Sequence, residues 1–414
     1  MQTLGTAWRN VRRNRRRTVL NVAALTVGVL AMVVMFGWIE GYHTYVYGAI
    51  IDLDTGHVQV ENAAYREQAR RLPLDVTVPQ YRAVQAALSA RQEVIAAAGR
   101  IEFTLKLSSG ARAAQLMGRA IDPAAEAEVT LIERAVVDGW YLEQRPGLLL
   151  SRALAVRFEV GPGDTMFVTA VDRYGVDNLL DVPVAGIFDY NYPAIDNNIV
   201  FFDLATARQL LRMGDEVTRV VVRLAERVEV GAGIGGIEGL LGEFEAPSRR
   251  LAARSWREFA RAAVIAVEQD SVTFQILVGI IYFLVLIGIL NSMSMSVHER
   301  TSEIATLRAV GMKRGAVARL FLCEGLILGL IGFVVGVLLA LPLVYYLGVV
   351  GLDIGQFMPE DFPAPFGELF FADFRPRHFV IALLTALGAT GAASFLPARR
   401  AARLQIADAM RSTR

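Results

Sequence analysis

The chain has 414 residues, of which 54% are hydrophobic and 20% are charged, and its formal net charge at pH 7 is +1. So much apolar content with so little charge excludes a disordered chain and argues against an ordinary soluble enzyme. The single cysteine excludes an internal disulfide, and the four histidines are too scattered for a zinc site. Neither lysine directly follows a glycine, so the chain has no lysine-bearing phosphate-binding loop.

Four long apolar segments predict membrane-spanning helices over residues 18–40, 271–297, 320–350 and 378–396. Roughly 20 apolar residues at a rise of about 1.5 Å each cross the hydrocarbon layer of a bilayer. The first segment is too long for the core of a signal peptide, and no small-residue cleavage site follows Trp38. We therefore expect it to remain as a membrane anchor.

The placement of arginine predicts the orientation of these helices. Residues 1–17, the loop 298–319 and the tail 397–414 are rich in arginine, whereas the loop 351–377 is acidic. Because basic segments stay on the cytoplasmic side, both termini and the loop 298–319 are expected there. The position of the N-terminal arginines against an apolar span favours membrane lipid headgroups, and no nucleic acid, as their partner.

Residues 41–270 are then one extracytoplasmic insertion, for which the sequence predicts an α+β fold. A helix is expected from Pro79 to about Ala98, and Asp203 is expected to cap a helix that ends at Leu211. The predicted strands are His57–Glu61, Ile101–Leu107, Ala114–Ile121, Leu148–Leu150, Thr165–Val171, Val182–Phe188, Ile199–Phe202 and Arg219–Leu224.

Two short patterns in this insertion have the residue spacing of known ligand sites. Gly231, Gly233 and Gly236 have the spacing of a dinucleotide fingerprint, but the expected βαβ unit is not legible, so a flexible loop is predicted. Asp52 and Asp54 imitate a metal-binding pair and are interpreted as a solvated turn. With no catalytic motif and no metal site in view, we expect a chain that is not an enzyme and binds no cofactor itself.

The loop 298–319 reads as a short amphipathic helix, a turn and the entry into the third span. Glu299 and Glu303 are placed in its first turns, and Gly311 is expected to end it in a left-handed conformation. Its apolar stripe suits docking into a groove of a partner protein, although a helix lying on the membrane surface is the alternative. The stripe consists of Ile304, Leu307 and Val310.

The run from Glu299 to Gly311 (ERTSEIATLRAVG), the segment Phe321–Gly325 and the ending Leu396–Arg403 resemble the signature of FtsX-type ABC transporter permeases. The layout of four spans and one large insertion is similar to the lipoprotein-releasing LolC/LolE branch and to MacB-type permeases. The resemblance implies Porter and Sabre subdomains, the Sabre-like part at about residues 121–218. It also implies a coupling helix, with ATPase contacts at Glu299, Glu303, Ile304, Leu307, Arg308 and Gly311.

The same resemblance implies the partners of the chain. They are two copies of a separate cytoplasmic ATPase, which binds the ATP and Mg, a second permease that is identical or related, and a lipoprotein substrate taken from the inner membrane. The hairpin Val171–Asp181 lies where the LolC/LolE branch carries a hook for a periplasmic chaperone, although it is short here and does not match the hook closely. Export of another amphiphile, or mechanical signalling to periplasmic partners, is the alternative function.

A substrate cavity is expected between the first two spans, because methionine and phenylalanine offer adaptable contacts to acyl chains. Simple helix packing or lipid contact is the alternative for each of its residues. Glu324 is expected to form an ion pair near Arg319 and Arg308. Glycines at 325, 329, 332 and 336 predict close helix packing. The predicted cavity residues are Met32, Met35, Phe36, Ile39, Phe274, Leu277, Val278 and Ile281.

Overall fold

A computed structural model describes residues 2–13, 15–244, 250–353 and 369–403. The helices are α1 (Gln2–Arg13), α2 (Arg15–Ile50), α3 (Tyr65–Gln68), α4 (Tyr81–Ser89), α5 (Pro123–Val129), α6 (Arg152–Phe158), α7 (Pro193–Asp196), α8 (Leu204–Leu211), α9 (Val230–Leu241), α10 (Trp256–Phe259), α11 (Arg261–Glu299), α12 (Thr301–Ala309), α13 (Arg314–Tyr345) and α14 (Pro376–Arg403). The strands are β1 (Val58–Asn62), β2 (Val94–Ser108), β3 (Ala113–Ile121), β4 (Val136–Gly139), β5 (Leu148–Ser151), β6 (Thr165–Val171), β7 (Asp177–Phe188), β8 (Ile199–Asp203), β9 (Arg219–Leu224), β10 (Leu251–Ser255), β11 (Leu352–Asp353) and β12 (Leu369–Phe370).

The described residues fall into two compact units. One, called the membrane unit here, comprises residues 2–45, 266–353 and 369–403; the other, the inserted domain, is Val46–Ile265. Within the described residues, four helices are long and apolar enough to cross a membrane: Arg15–Thr55, Arg261–Glu299, Arg314–Val350 and Pro376–Arg403. Each contains one predicted span and continues beyond it.

The first and fourth long helices end well after the predicted spans, and the second begins before its span, at Arg261. The first continues as α2 to Ile50 and then as a π-helical turn, Ile51–Thr55. In the fourth, Pro397 lies inside α14, so residues 397–403 continue the helix instead of beginning a tail. The rest of the predicted tail and most of the acidic loop 351–377 lie outside the described residues.

A row of glycines on α13 lets other helices of the membrane unit approach its backbone. A Cβ added at Gly332 would lie 2.4 Å from the Cβ of Leu25 on α2. One added at Gly329 would lie 2.5 Å from Oγ1 of Thr390 on α14. Gly325 and Gly336 meet Ser394 and Val29 in the same way. The predicted close packing is confirmed within this chain, and small residues are the usual means of such contacts in membranes.

The inserted domain is built on one ten-stranded sheet in the order β10-β1-β9-β2-β3-β8-β5-β7-β4, with β6 bonded to β2 and β7. Strand β2 organises it, because β9 pairs with its first half, β6 with its end, and β3 with its second half. The β3–β8 and β5–β7 pairs are parallel and the others antiparallel. Valine, leucine and phenylalanine side chains fill the core between this sheet and its helices. The combination of one mixed sheet with separate helices confirms the predicted α+β class.

Two predictions in the inserted domain were wrong. The helix expected to reach Ala98 ends at Ser89, and Val94–Ala98 instead begin β2, where Ala97 pairs with Val222. Alanine is the best helix former, but helix propensity is a weak determinant that strand pairing with β9 overrides here. The expected glycine-rich loop is helix α9, because Ile237 and Leu241 bury one face and Gly233 packs against Leu224.

The predicted strands and the predicted cap of α8 agree with the structure. Each predicted strand coincides with an observed one, although β4 and β10 were missed. Asp203 caps α8 by accepting the Thr206 N–H at 2.8 Å. The interpretation of Asp52 and Asp54 as a solvated turn differs from the structure, in which both lie in the π-helical turn Ile51–Thr55 and are ion-paired. Asp52 lies 2.9 Å from Arg223, and Asp54 lies 2.6 Å from Arg119.

Candidate functional site

The loop between α11 and α13 is the strongest candidate site. Arg300, with φ −108° and ψ 19°, interrupts the helical path, so α12 begins as a separate helix at Thr301. Gly311 follows its end with φ +104°, a conformation that side chains disfavour. The N–H of Gly311 donates to the Arg308 carbonyl at 3.1 Å, and that of Met312 donates to the Leu307 carbonyl at 3.0 Å. These two bonds form a Schellman cap, as the sequence predicted for Gly311.

The apolar stripe predicted on α12 is divided between two environments. Ile304 is only 3% exposed and packs inside the membrane unit beside Val297 and Phe321. Leu307 is exposed, and Val310 is 84% exposed. Ile304 is therefore covered by its own chain, and α12 does not present it outward. Leu307 on α12 and Val310, the residue that directly follows its last turn, are the large apolar side chains exposed here.

The two glutamates of the predicted site are exposed and bonded to arginines. Glu303 lies 2.5 Å from Arg13 and 3.0 Å from Arg300. Burial raises the pKa of Glu303, but hydrogen bonds from Arg300 and Arg13 outweigh it and hold that pKa below its ordinary value. Glu299 ends α11 instead of beginning α12, and it lies 3.1 Å from Arg17. The Arg308 guanidinium donates to the Ala402 carbonyl at 3.4 Å.

Glu324 forms the expected ion pair, but with a different partner. Its carboxylate lies 3.0 Å from the guanidinium of Arg300, not beside Arg308 or Arg319. It also accepts a hydrogen bond from Asn10 at 2.5 Å. Sequence reasoning missed both partners of Glu324. Arg300 lies 24 residues and Asn10 lies 314 residues from Glu324 in the chain, and no local pattern encodes contacts at such separations.

The predicted cavity residues do not all come together. Met32, Met35, Phe36 and Val278 belong to one apolar cluster with Val33 and Tyr282. Within this chain, Met32 and Val278 are buried in helix packing. Ile39 is also buried, Phe274 and Ile281 are half-buried, and Leu277 is exposed. Leu277 belongs to an exposed apolar face of α11, together with Val272, Ile276, Ile280, Phe283, Leu284 and Ile287.

The hairpin predicted at Val171–Asp181 forms from β6 and β7. Asp172 orders its turn by accepting the backbone N–H groups of Tyr174 and Val176, and these bonds lower the pKa of Asp172. The hairpin exposes an unusual number of apolar side chains for a surface turn: Phe167, Val171, Tyr174, Val176 and Leu179. Such a patch is a common feature of protein-binding surfaces.

Among the residues that the structure describes, no group of three histidine, cysteine, aspartate or glutamate side chains is placed to hold a metal ion. The arginine pairings of Asp52 and Asp54 account for the one sequence pattern that suggested such a site.

Comparison with known proteins identifies both parts of the chain. Residues 18–238, more than half of it, match the MacB-like periplasmic core domain, and residues 276–406 match the FtsX-like permease C-terminal family. The lipoprotein-releasing system transmembrane protein LolC of Neisseria meningitidis is 23% identical over 409 residues, which cover 95% of this chain and 94% of LolC. LolE of Haemophilus influenzae is 23% identical over 75% of this chain and 76% of its own.

A solved structure, the periplasmic region of MacB from Actinobacillus actinomycetemcomitans, covers 51% of this chain and 94% of its own, at 11% identity and a TM-score of 0.38. The family assignment rests on the two sequence families, which between them match both the inserted domain and the later spans. This chain therefore belongs to the FtsX-like permeases and is an ABC transporter permease of the LolC/LolE type with a MacB-like periplasmic core domain.

Proposed function

We propose that this chain couples ATP hydrolysis by a separate ATPase to the extraction of lipoproteins from the inner membrane toward the outer membrane. The observation that carries the proposal is its similarity to LolC along nearly its whole length. Extraction needs a motor, because each buried CH₂ of an acyl chain contributes about 0.8 kcal/mol to membrane binding. In this proposal two copies of the ATPase hold the ATP and Mg, and the chain pairs with a second permease.

The ATPase is proposed to dock on the outward side of α12. Leu307 and Val310 supply exposed apolar contacts there, and Glu299 and Glu303 supply exposed charge. A short helix with a few apolar anchors and charged flanks suits a groove in a partner protein. In this proposal Arg308 and Gly311 hold the end of α12, both termini are cytoplasmic, and Ile304 fixes α12 to its own chain.

A substitution at Val310 tests this docking surface. Val310→Asp places a charge on the most exposed apolar side chain of α12, and we expect less ATPase to co-purify with the permease. Val156→Asp is the matched control, since Val156 is also exposed but lies on α6 of the inserted domain. Equal amounts of ATPase with both variants would contradict docking at α12.

The substrate is proposed to enter between the first two spans. Met35, Phe36 and Ile281 are half-buried apolar side chains there, and Leu277 is exposed. A photoreactive residue at Phe36 should capture an acylated lipoprotein in membranes that contain the whole complex. The control position is Leu338, an exposed side chain on α13. Capture of bulk lipid alone at both positions would contradict a substrate path beside Phe36.

The MacB-like core domain favours one second candidate, in which the same motor exports another amphiphile or signals to periplasmic partners. The exposed apolar patch on the β6–β7 hairpin gives a periplasmic chaperone or other partner a surface to bind.

Substitutions in this patch test whether a chaperone docks there during lipoprotein transfer. If it does, Tyr174→Asp and Leu179→Asp should each lower lipoprotein transfer. Unchanged transfer with both variants would argue against that role of the hairpin.

A further inference from the structure

Helices α1 and α13 and the link between α11 and α12 meet at the carboxylate of Glu324. Nη1 of Arg300, the residue that separates α11 from α12, lies 3.0 and 3.3 Å from the two carboxylate oxygens. The side-chain amide of Asn10 on α1 donates to the same carboxylate at 2.5 Å. Glu324 itself lies on α13. Arg300 is 7% exposed and Glu324 is 5% exposed, so this cluster is shielded from solvent.

The cluster also reaches into α12. Nε of Arg300 lies 3.0 Å from Glu303, and the Arg300 carbonyl accepts the N–H of Ile304 at 2.9 Å. The guanidinium carbon of Arg300 lies 5.6 Å from the ring centre of Phe321, one turn before Glu324 on α13. The guanidinium group therefore bonds through Nε and Nη1 and lies with one face over Phe321, and these contacts fix both the start of α12 and its attachment to α13.

Stability alone is a poor reason to bury such a pair. Removing two charges from water costs several kcal/mol per ion, and apolar side chains of similar volume often stabilise a protein as well or better. What an arginine–carboxylate pair adds is a fixed geometry, since the planar guanidinium accepts few orientations. The geometry fixed here is that of α12 relative to α13.

We propose that Arg300 and Glu324 are positioning residues that join α12 rigidly to α13, so that a displacement of α12 is passed into the third span. Asn10 adds α1 to the same joint. This inference rests on the proposed function, in which α12 meets the ATPase. It assigns to the pair a role in transmitting force, distinct from the contacts that α12 makes with its partner.

The surface pair beside the joint supplies a matched control. Arg13 lies 2.5 Å from Glu303, but both side chains are largely exposed, and exposed ion pairs contribute little. Arg13→Met therefore removes an arginine contact to α12 without disturbing the buried joint. Arg300→Met with Glu324→Met removes the joint and leaves an apolar pair of similar length, so that no unpaired charge remains to prevent folding.

The first experiment measures the distance between α12 and α13 in the full complex. Spin labels at Ser302→Cys on α12 and Leu330→Cys on α13, both exposed positions outside the proposed docking contacts, are introduced with Cys323→Ser. We expect a narrow distance distribution that keeps its width when nucleotide is added. The double methionine variant should broaden it, and Arg13→Met should not. An unchanged distribution in the double methionine variant would overturn the joint, whether or not the complex moves lipoproteins.

The second experiment measures ATP hydrolysed per lipoprotein released. With the joint removed, we expect this ratio to rise roughly two- to thirtyfold, the range found when coupling residues are changed. ATPase binding should stay at the level of the unmodified chain, which a damaged docking surface would not allow. A ratio equal to that of Arg13→Met would overturn the proposed role. If the unmodified complex releases no lipoprotein, the proposed substrate fails while the distance measurement still decides the joint.

Discussion

The two units of this molecule pack their interiors in different ways. The inserted domain packs large apolar groups, such as Phe103 and Phe202, whose ring centres lie 5.7 Å apart. The membrane unit also buries large side chains, such as Phe321, but it adds close contacts of helix backbones at glycine, including Gly329 and Gly332. Water drives large apolar side chains into a core, whereas lipid provides no such drive and rewards close backbone approach. Lipid surroundings therefore account for the glycine contacts that distinguish the membrane unit.

The two units also differ in their buried ion pairs. Several ion pairs are buried within the sheet of the inserted domain, among them Arg100 with Glu126 at 2.5 Å and Arg119 with Glu102 at 3.0 Å. In the described part of the membrane unit, the pair of Arg300 and Glu324 is buried where α12 meets α13. A network of ion pairs inside a sheet stabilises the packing of several strands, whereas the single pair in the membrane unit fixes one contact, between the start of α12 and α13. The following substitutions test this difference.

The largest expected effect comes from Arg100→Met in the inserted domain. Its guanidinium makes two bonds to Glu126, whose carboxylate is fully buried, and loss of one partner leaves the other charge uncompensated. We expect the domain to lose roughly 3–5 kcal/mol of unfolding free energy. Hydrogen exchange of the β2 amides measures it in the full chain. Arg112→Met, which breaks an exposed pair with Glu159, should cost less than about 1 kcal/mol.

Acid should weaken the same network through Glu102. Burial raises the pKa of Glu102, but Arg219, Arg119 and Arg100 outweigh it and lower that pKa to about 2 from an ordinary 4.5. A carboxyl with a lowered folded pKa stabilises above its unfolded value and loses that contribution as pH falls through the folded one. We therefore expect up to about 3 kcal/mol to be lost between about pH 4.5 and 2.

The Glu102→Gln variant isolates this contribution. Its unfolding free energy should change less with pH over the same interval than that of the unmodified chain. The comparison matters because burial raises the pKa of Glu61, which favours its protonation in the folded state and acts in the opposite direction. Parallel pH profiles for the two proteins would show that Glu102 does not carry the acid sensitivity.

A smaller effect is expected from Gly332→Ala in the membrane unit. The added Cβ would lie 2.4 Å from the Cβ of Leu25, so α2 and α13 must separate. Overpacking of this kind costs about 1–3 kcal/mol. The melting temperature of the purified permease measures it. Gly279→Ala on α11 is the control, because no atom lies within 4 Å of its added Cβ; equal losses in both variants would contradict packing through the glycine row.

The smallest effect is expected from Gly311→Ala at the end of α12. A side chain at φ +104° is strained, and we expect a cost of about 1 kcal/mol, felt locally as fraying of the Schellman cap. Faster hydrogen exchange at Met312 would report it. Gly315→Ala, at a helical position on α13 with open space around it, should leave that exchange unchanged.

The sequence was most informative where one local property decides the structure. Span length and hydropathy predicted the four long helices, and the turn requirement of Gly311 predicted the end of α12. Prediction was wrong where distant partners decide. Val94–Ala98 form a strand because β9 lies beside them, and Glu324 pairs with Arg300, the residue between α11 and α12, which lies 24 residues away in the chain. The apolar stripe of α12 could be predicted from the sequence, but the burial of Ile304 under its own chain could not.

The most direct measurement is ATP-dependent release of a triacylated lipoprotein from proteoliposomes that contain this chain and its co-purifying ATPase. The proposed function predicts release that requires ATP hydrolysis and is lost with Glu303→Lys, which reverses an exposed charge on α12. Full ATP hydrolysis without any released lipoprotein would contradict it and would leave export of another amphiphile, or mechanical signalling, as the function of the complex.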